Sequence, residues 1–215
     1  MQTEDLIARL AQEAKPVRRM ASPARLTAGW LLMSAPVLAA VVLMMGPRPH
    51  LVALLAQPRF ALAEGLAVLT TIVSAYAAFC AGRPDEPGWK LALPILAFVA
   101  WLGELGRQCF VLSVQTHGAA LVLHADWMCI PVIAVTSLVP AVAIVWLLRR
   151  SALFRATEAS LCATLAATAA AEAVLPLFHT ADTMMMVLVW QMGSVALLTA
   201  LGALAARMGL GRGKT

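Results

Sequence analysis

The sequence predicts an all-α integral membrane bundle of six transmembrane helices, with both termini on the cytoplasmic side and a short amphipathic helix ahead of the first span. Three observations lead there. Of 215 residues, 61% are hydrophobic and 13% charged, against about half and a quarter in an average soluble domain. The apolar residues gather into six long runs, each near the ~20 residues that a helix needs to cross a bilayer. The basic residues gather in alternate connections between those runs.

The first 25 residues carry charges throughout and contain no short apolar core followed by a small-residue cleavage site, so no signal peptide is expected. Thr3 is placed to cap a helix whose first turn holds Glu4 and Asp5, and Leu6, Ile7, Leu10, Ala11 and Ala14 then share one face. That stripe ends near Pro16. It suits either the anionic inner leaflet or a groove on a cytoplasmic partner, and its acidic start favours the partner.

The six runs lie at roughly 26–46, 60–81, 89–111, 128–148, 158–177 and 184–206. They are uninterrupted, whereas barrel strands alternate polar and apolar residues over about ten positions, so the spans are helices. The expected division is a cytoplasmic segment at 1–25, a transmembrane domain at 26–207 and a cytoplasmic tail at 208–215, with little chain left for a separate soluble domain. Pro36, Pro94, Pro131, Pro140 and Pro176 lie within or at the ends of spans, where each removes a backbone donor and can kink its helix. The Ala-rich stretch from Ala166 to Ala173 permits close helix packing.

Orientation follows from lysine and arginine. With the N-terminus inside, the inner pieces hold Arg9, Lys15, Arg18, Arg19 and Arg25, then Arg83 and Lys90, then Arg149, Arg150 and Arg155, then Arg207, Arg212 and Lys214. Arg48 and Arg59 are the basic residues of the outer pieces, and Arg107 lies within the third span. This is a strong positive-inside bias. The net charge of +5 is therefore a matter of sidedness, and no direct contact with nucleic acid is expected.

That topology puts His50, His117, His124 and His179 outside or at the outer boundary, together with Asp126, Asp182 and Cys129. Imidazole, thiolate and carboxylate suit zinc, copper or related ions, yet the spacing of His117, His124, Asp126 and Cys129 matches no closed metal-site signature. Solvated loop residues and an outer-face sensing cluster both fit it. Cys109 and Cys129 flank the same outer connection on the oxidising side, and a bridge between them stays open. Cys80 and Cys162 read as small buried hydrophobes. Glu104 and Arg107 stand three residues apart in the third span and share a helix face, which favours an ion pair that serves either as a lock between helices or as a relay. Glu64 and Glu172 also fall in spans, without partners that sequence can assign. No nucleophile motif, metal-binding helix motif or phosphate-cradling glycine loop is present, so neither an enzyme nor a cofactor is expected.

The segment Thr3-Glu4-Asp5-Leu6-Ile7-Ala8-Arg9-Leu10-Ala11, followed by Pro16-Val17-Arg18-Arg19 and six spans, resembles the NrsF family of membrane anti-sigma factors. Further matching pieces are Cys129-Ile130-Pro131, Leu147-Leu148-Arg149-Arg150, and His179 ahead of Asp182 and Trp190. The resemblance implies a multi-pass protein of the bacterial inner (cytoplasmic) membrane. It further implies that the N-terminal segment, with Leu6, Ile7 and Leu10 as its grip, sequesters an extracytoplasmic-function sigma factor, and that heavy-metal ions or an oxidant acting on outer-face cysteines release it. In one respect this sequence departs from the family, which has a second cysteine directly after the histidine of the last outer loop, where Thr180 stands here. Sensing would then rest on Cys129 with Cys109 as a substitute, or on a mixed nitrogen and sulfur site of Cys129 and His179, with His124 and Asp126 nearby. The alternative function is a small metal or solute transporter, which should bring polar residues together near mid-membrane, often on broken helices.

Overall fold

The computed structural model describes residues 3–13, 21–118, 121, 129–149, 154–179 and 184–211, and among them the chain is helical without strands. The first helix, α1, covers Thr3–Glu13 with Glu4 and Asp5 in its first turn. Next comes α2 at Pro23–Met45, where the Ser22 side chain accepts from the Arg25 N–H at 3.4 Å and Pro23 stands at the first helical position. This cap starts the helix ahead of the apolar run that predicts it, because a serine followed by proline supplies an acceptor for an orphan N–H and the preset φ of a first turn. A short α3 at Leu51–Leu55 precedes α4 at Pro58–Ala81.

A 3₁₀ turn at Gly88–Ala92 leads into α5, Leu93–Gln115. This helix outruns the predicted third span by about one turn, past the point where the apolar pattern fades. It ends where the Gly118 N–H bonds the Ser113 carbonyl at 2.9 Å and His117 adopts φ +51°, a left-handed cap that returns the last carbonyls to partners. The bundle is completed by α6 at Cys129–Leu148, α7 at Ala156–Val174 with a 3₁₀ turn at Leu175–Leu177, the single turn α8 at Met184–Met186, a π-helical turn at Val187–Gln191, and α9 at Met192–Gly211.

Six helical stretches are long and apolar enough to cross a membrane: Pro23–Met45, Pro58–Ala81, Gly88–Gln115, Cys129–Leu148, Ala156–Leu177 and Met184–Ala205. The chain is a multi-pass membrane protein. Its packing is that of a bundle in oil. Small residues fill the interior, among them Ala67, Ala75 and Ala78 of α4 and Ala163, Ala166, Ala167 and Ala170 of α7, while Leu32, Leu43, Ile95, Val135 and Leu201 point outward. Lipid solvates leucine as well as a protein core does, so close approach of backbones decides which face turns inward. For that reason α7 is central. It packs most extensively on α4 and also on α6 and α9, while α4 carries α5 on its other side and α2 packs on α6 and α4.

Successive spans run in opposite directions, giving the bundle two distinct ends. One end holds Arg25, Arg83, Lys90, Arg149 and Arg155. There the Arg83 guanidinium donates to the Ala21 carbonyl at 2.7 Å, the Arg155 N–H donates to the Ala81 carbonyl at 3.0 Å, and the Lys90 ammonium reaches Glu86 at 2.5 Å and the Tyr76 hydroxyl at 3.2 Å. The opposite end holds Arg48, Arg59, Cys129 and His179, and is clasped by the Arg48 N–H donating to the Leu177 carbonyl at 2.8 Å.

Candidate functional site

Candidate functional residues occupy three places: α1, the far corner where α6 meets α7, and the interior between α4, α5, α7 and the π turn. In α1, Leu6, Ile7 and Leu10 lie on a continuous helical backbone, and Ile7 is exposed, an apolar side chain facing outward. Leu10 follows Leu6 by four residues, so the two share one helix face.

At the far corner, Cys129 opens α6 and is buried, 4% exposed. One turn on, Ile133 packs against Ala171 and Leu175 at the end of α7. The His179 N–H donates to the Leu175 carbonyl at 2.9 Å, so Cys129 and His179 belong to the same corner. Cys109 is also buried, but on α5, which packs against α4, whereas α6 packs against α2, α7 and α9. Among the described residues, which include all four cysteines, there is no disulfide. His124, Asp126 and Thr180 lie outside the described residues. Among those described, no three histidine, cysteine or carboxylate side chains converge as a metal site would require.

In the interior, the Arg107 Nε and Nη2 donate to the two oxygens of Glu104 at 2.8 and 2.7 Å. The Gln108 amide donates both to Glu104 at 2.8 Å and to the Arg59 carbonyl at 3.0 Å. The ion pair therefore closes within α5, and it is Gln108 that ties α5 to α4. Glu104 is buried and Arg107 is half exposed, so the guanidinium holds the buried carboxylate from the partly exposed side.

A cavity of about 210 Å³ lies in the same half of the bundle, lined by Phe60 and Glu64 of α4, Trp101 and Gln108 of α5, Glu172 of α7, Gln191 of the π turn, and Arg48 and His179 from the connecting segments. Sequence reasoning left Glu64 and Glu172 unassigned, and missed Gln191 altogether. The signal present in the sequence was their cost: an ionisable or amide side chain inside a span persists only where something satisfies it. Four helical pieces far apart in the chain have to meet before that something is visible.

No curated protein and no solved structure matches the chain. A family does: residues 10–211, from the last turn of α1 to the end of α9, match the family described as NrsF, negative regulator of sigma F. A match that spans the whole bundle places this six-helix membrane protein in the NrsF family of negative regulators of a sigma factor.

Proposed function

We propose that the chain is a membrane-bound anti-sigma factor of the bacterial inner membrane, with both termini in the cytoplasm. It holds an extracytoplasmic-function sigma factor through its N-terminal segment, residues 1–25, and the six-span domain releases that grip when heavy metals or an oxidant act at the outer face. The family match is the observation that carries the reading. The apolar stripe of α1 supports it at the effector end, because a helix ahead of a basic membrane face offers a groove-binding surface. Cys129 and His179, at the corner away from that basic end, support it at the sensing end as soft and borderline ligands.

The test is Leu10→Asp, which puts a carboxylate into the stripe and leaves all six spans untouched. Burial of one leucine contributes roughly 1.5–3 kcal/mol, so loss of that contact together with an unpaired buried charge weakens binding at least about tenfold. A tagged full-length protein should co-purify a sigma factor in detergent, and the Leu10→Asp variant should not. Transcription of the regulon should then be constitutive. Normal capture and normal repression by the variant, at normal membrane levels, would overturn the α1 grip. They would also favour the second reading, a small metal or solute transporter, to which the carboxyl-lined cavity lends support.

A further inference from the structure

The interior cavity has the composition of a ligand site rather than of a packing defect. Voids left by imperfect packing are apolar, and buried polar atoms normally find partners. Here Glu172 is 2% exposed, lines the cavity, and its Oε2 has no hydrogen-bond partner among the described residues. Glu64 lines the same space from α4. Among the described residues neither carboxyl forms an ion pair, whereas Glu104, close by on α5, is held by Arg107 and Gln108. Two carboxyls inside a span, neither ion-paired with the Arg48 that also lines the cavity, form a site that a positive guest suits when a carboxyl is ionised.

The rest of the lining narrows the guest. Phe60 and Trp101 supply aromatic walls, and the Gln191 amide is brought to the cavity by the π turn, an irregularity that recurs at functional sites. Aromatic faces beside carboxyls suit an organic cation, by ion pairing at its charged end and cation–π or apolar contact along its body. A bare metal ion would need several converging small donors, and among the described residues no such group exists. The volume of about 210 Å³ falls below the ~300 Å³ at which drug-sized sites begin, and so admits a compact amine.

We propose that this cavity binds a small organic ammonium ion, its charged nitrogen held between Glu64 and Glu172 and its apolar body against Trp101 and Phe60. The proposal stands apart from the sigma-factor reading: a regulator would use the site to sense the cation, and a transporter to carry it. The ammonium comes either from a free amine or from the headgroup of an ethanolamine lipid.

The test uses the full-length protein in maltoside micelles, titrated with benzylammonium chloride and, in parallel, with the neutral isostere benzyl alcohol, read by calorimetry and tryptophan fluorescence. Saturable binding of benzylammonium is expected, with benzyl alcohol at least about tenfold weaker. Glu172→Gln and Glu64→Gln should each lower the benzylammonium affinity by about tenfold or more. Thermal unfolding and size-exclusion profiles establish that the variants are folded. If Glu172→Gln fails to fold, Glu64→Gln carries the test on the opposite wall. Added phosphatidylethanolamine that weakens benzylammonium binding, where phosphatidylglycerol does not, identifies the lipid headgroup as the source; equal behaviour of the two lipids identifies a free amine. Absence of saturable binding, equal affinity for amine and alcohol, or unchanged affinity in the folded glutamine variants would overturn the proposal and leave the cavity a water-filled pocket.

Discussion

Cys129 shows how much a single residue's meaning depends on its setting. Its thiol lies at the first turn of α6 and is buried, one turn before the Ile133 that packs on the end of α7. A soft metal ion would therefore not reach it by simple collision with an exposed group. Under the proposed sensing role, Cys129→Ser should lower induction of the regulon by thiol-reactive metals roughly tenfold or more, the scale on which metal affinity falls when a coordination site is disturbed. Basal repression and protein level should hold, because serine is close to isosteric with cysteine. Cys129→Ala serves as a companion that removes the hydroxyl, and wild-type induction in both variants would reduce Cys129 to packing. His117 carries the opposite lesson. On the page it reads as one more ligand in a loop, but its left-handed φ of +51° makes it the residue that ends α5.

At the scale of elements, the bundle turns on how closely α7 can be approached. A Cβ placed on Gly202 of α9 would overlap the Thr164 Cγ2 of α7, while the Thr168 and Thr199 hydroxyls of the same two helices meet at 3.1 Å. Glycine is what permits this crossing. Gly202→Val should thus part α7 from α9 and cost about 1–3 kcal/mol through overpacking. Gly103→Val, at a position where a Cβ meets nothing within 4 Å, should cost much less, and comparison of the two melting temperatures in detergent checks the difference. The proposed effector element, α1, should behave differently because it lies outside the spans. Deletion of residues 2–14 should leave membrane insertion and melting unchanged while abolishing sigma-factor capture; a drop in melting temperature would make α1 part of the bundle's support instead.

For the whole molecule, sidedness is the property on which the proposed function depends. Reporter fusions after residues 88 and 154 should behave as cytoplasmic, and fusions after 52, 120 and 181 as external. A reversed pattern would place α1 on the wrong side of the membrane for a sigma factor. The expectation rests on charge, as the basic residues of the described chain collect at the end that holds Arg25, Arg83 and Arg155. Span number, helical class and the pairing of Glu104 with Arg107 were legible in the sequence because each depends on neighbours within a turn or within one apolar run. Helix ends were less so, since caps such as Ser22 and His117 act through one local hydrogen bond that hydropathy does not register. Membership of the NrsF family was legible too, from short motifs spread along the chain. The tertiary structure decided what lies next to what. Glu64 and Glu172 come from spans separated by about a hundred residues, and they share a cavity only because alanine-rich faces bring α4 onto α7. The separation of Cys109 from Cys129 has the same cause, since α5 packs on α4 while α6 packs on the far side of α7. Partition into lipid is a property of each segment by itself, written in composition; adjacency between segments follows from the fit of their surfaces, which no single stretch of chain contains.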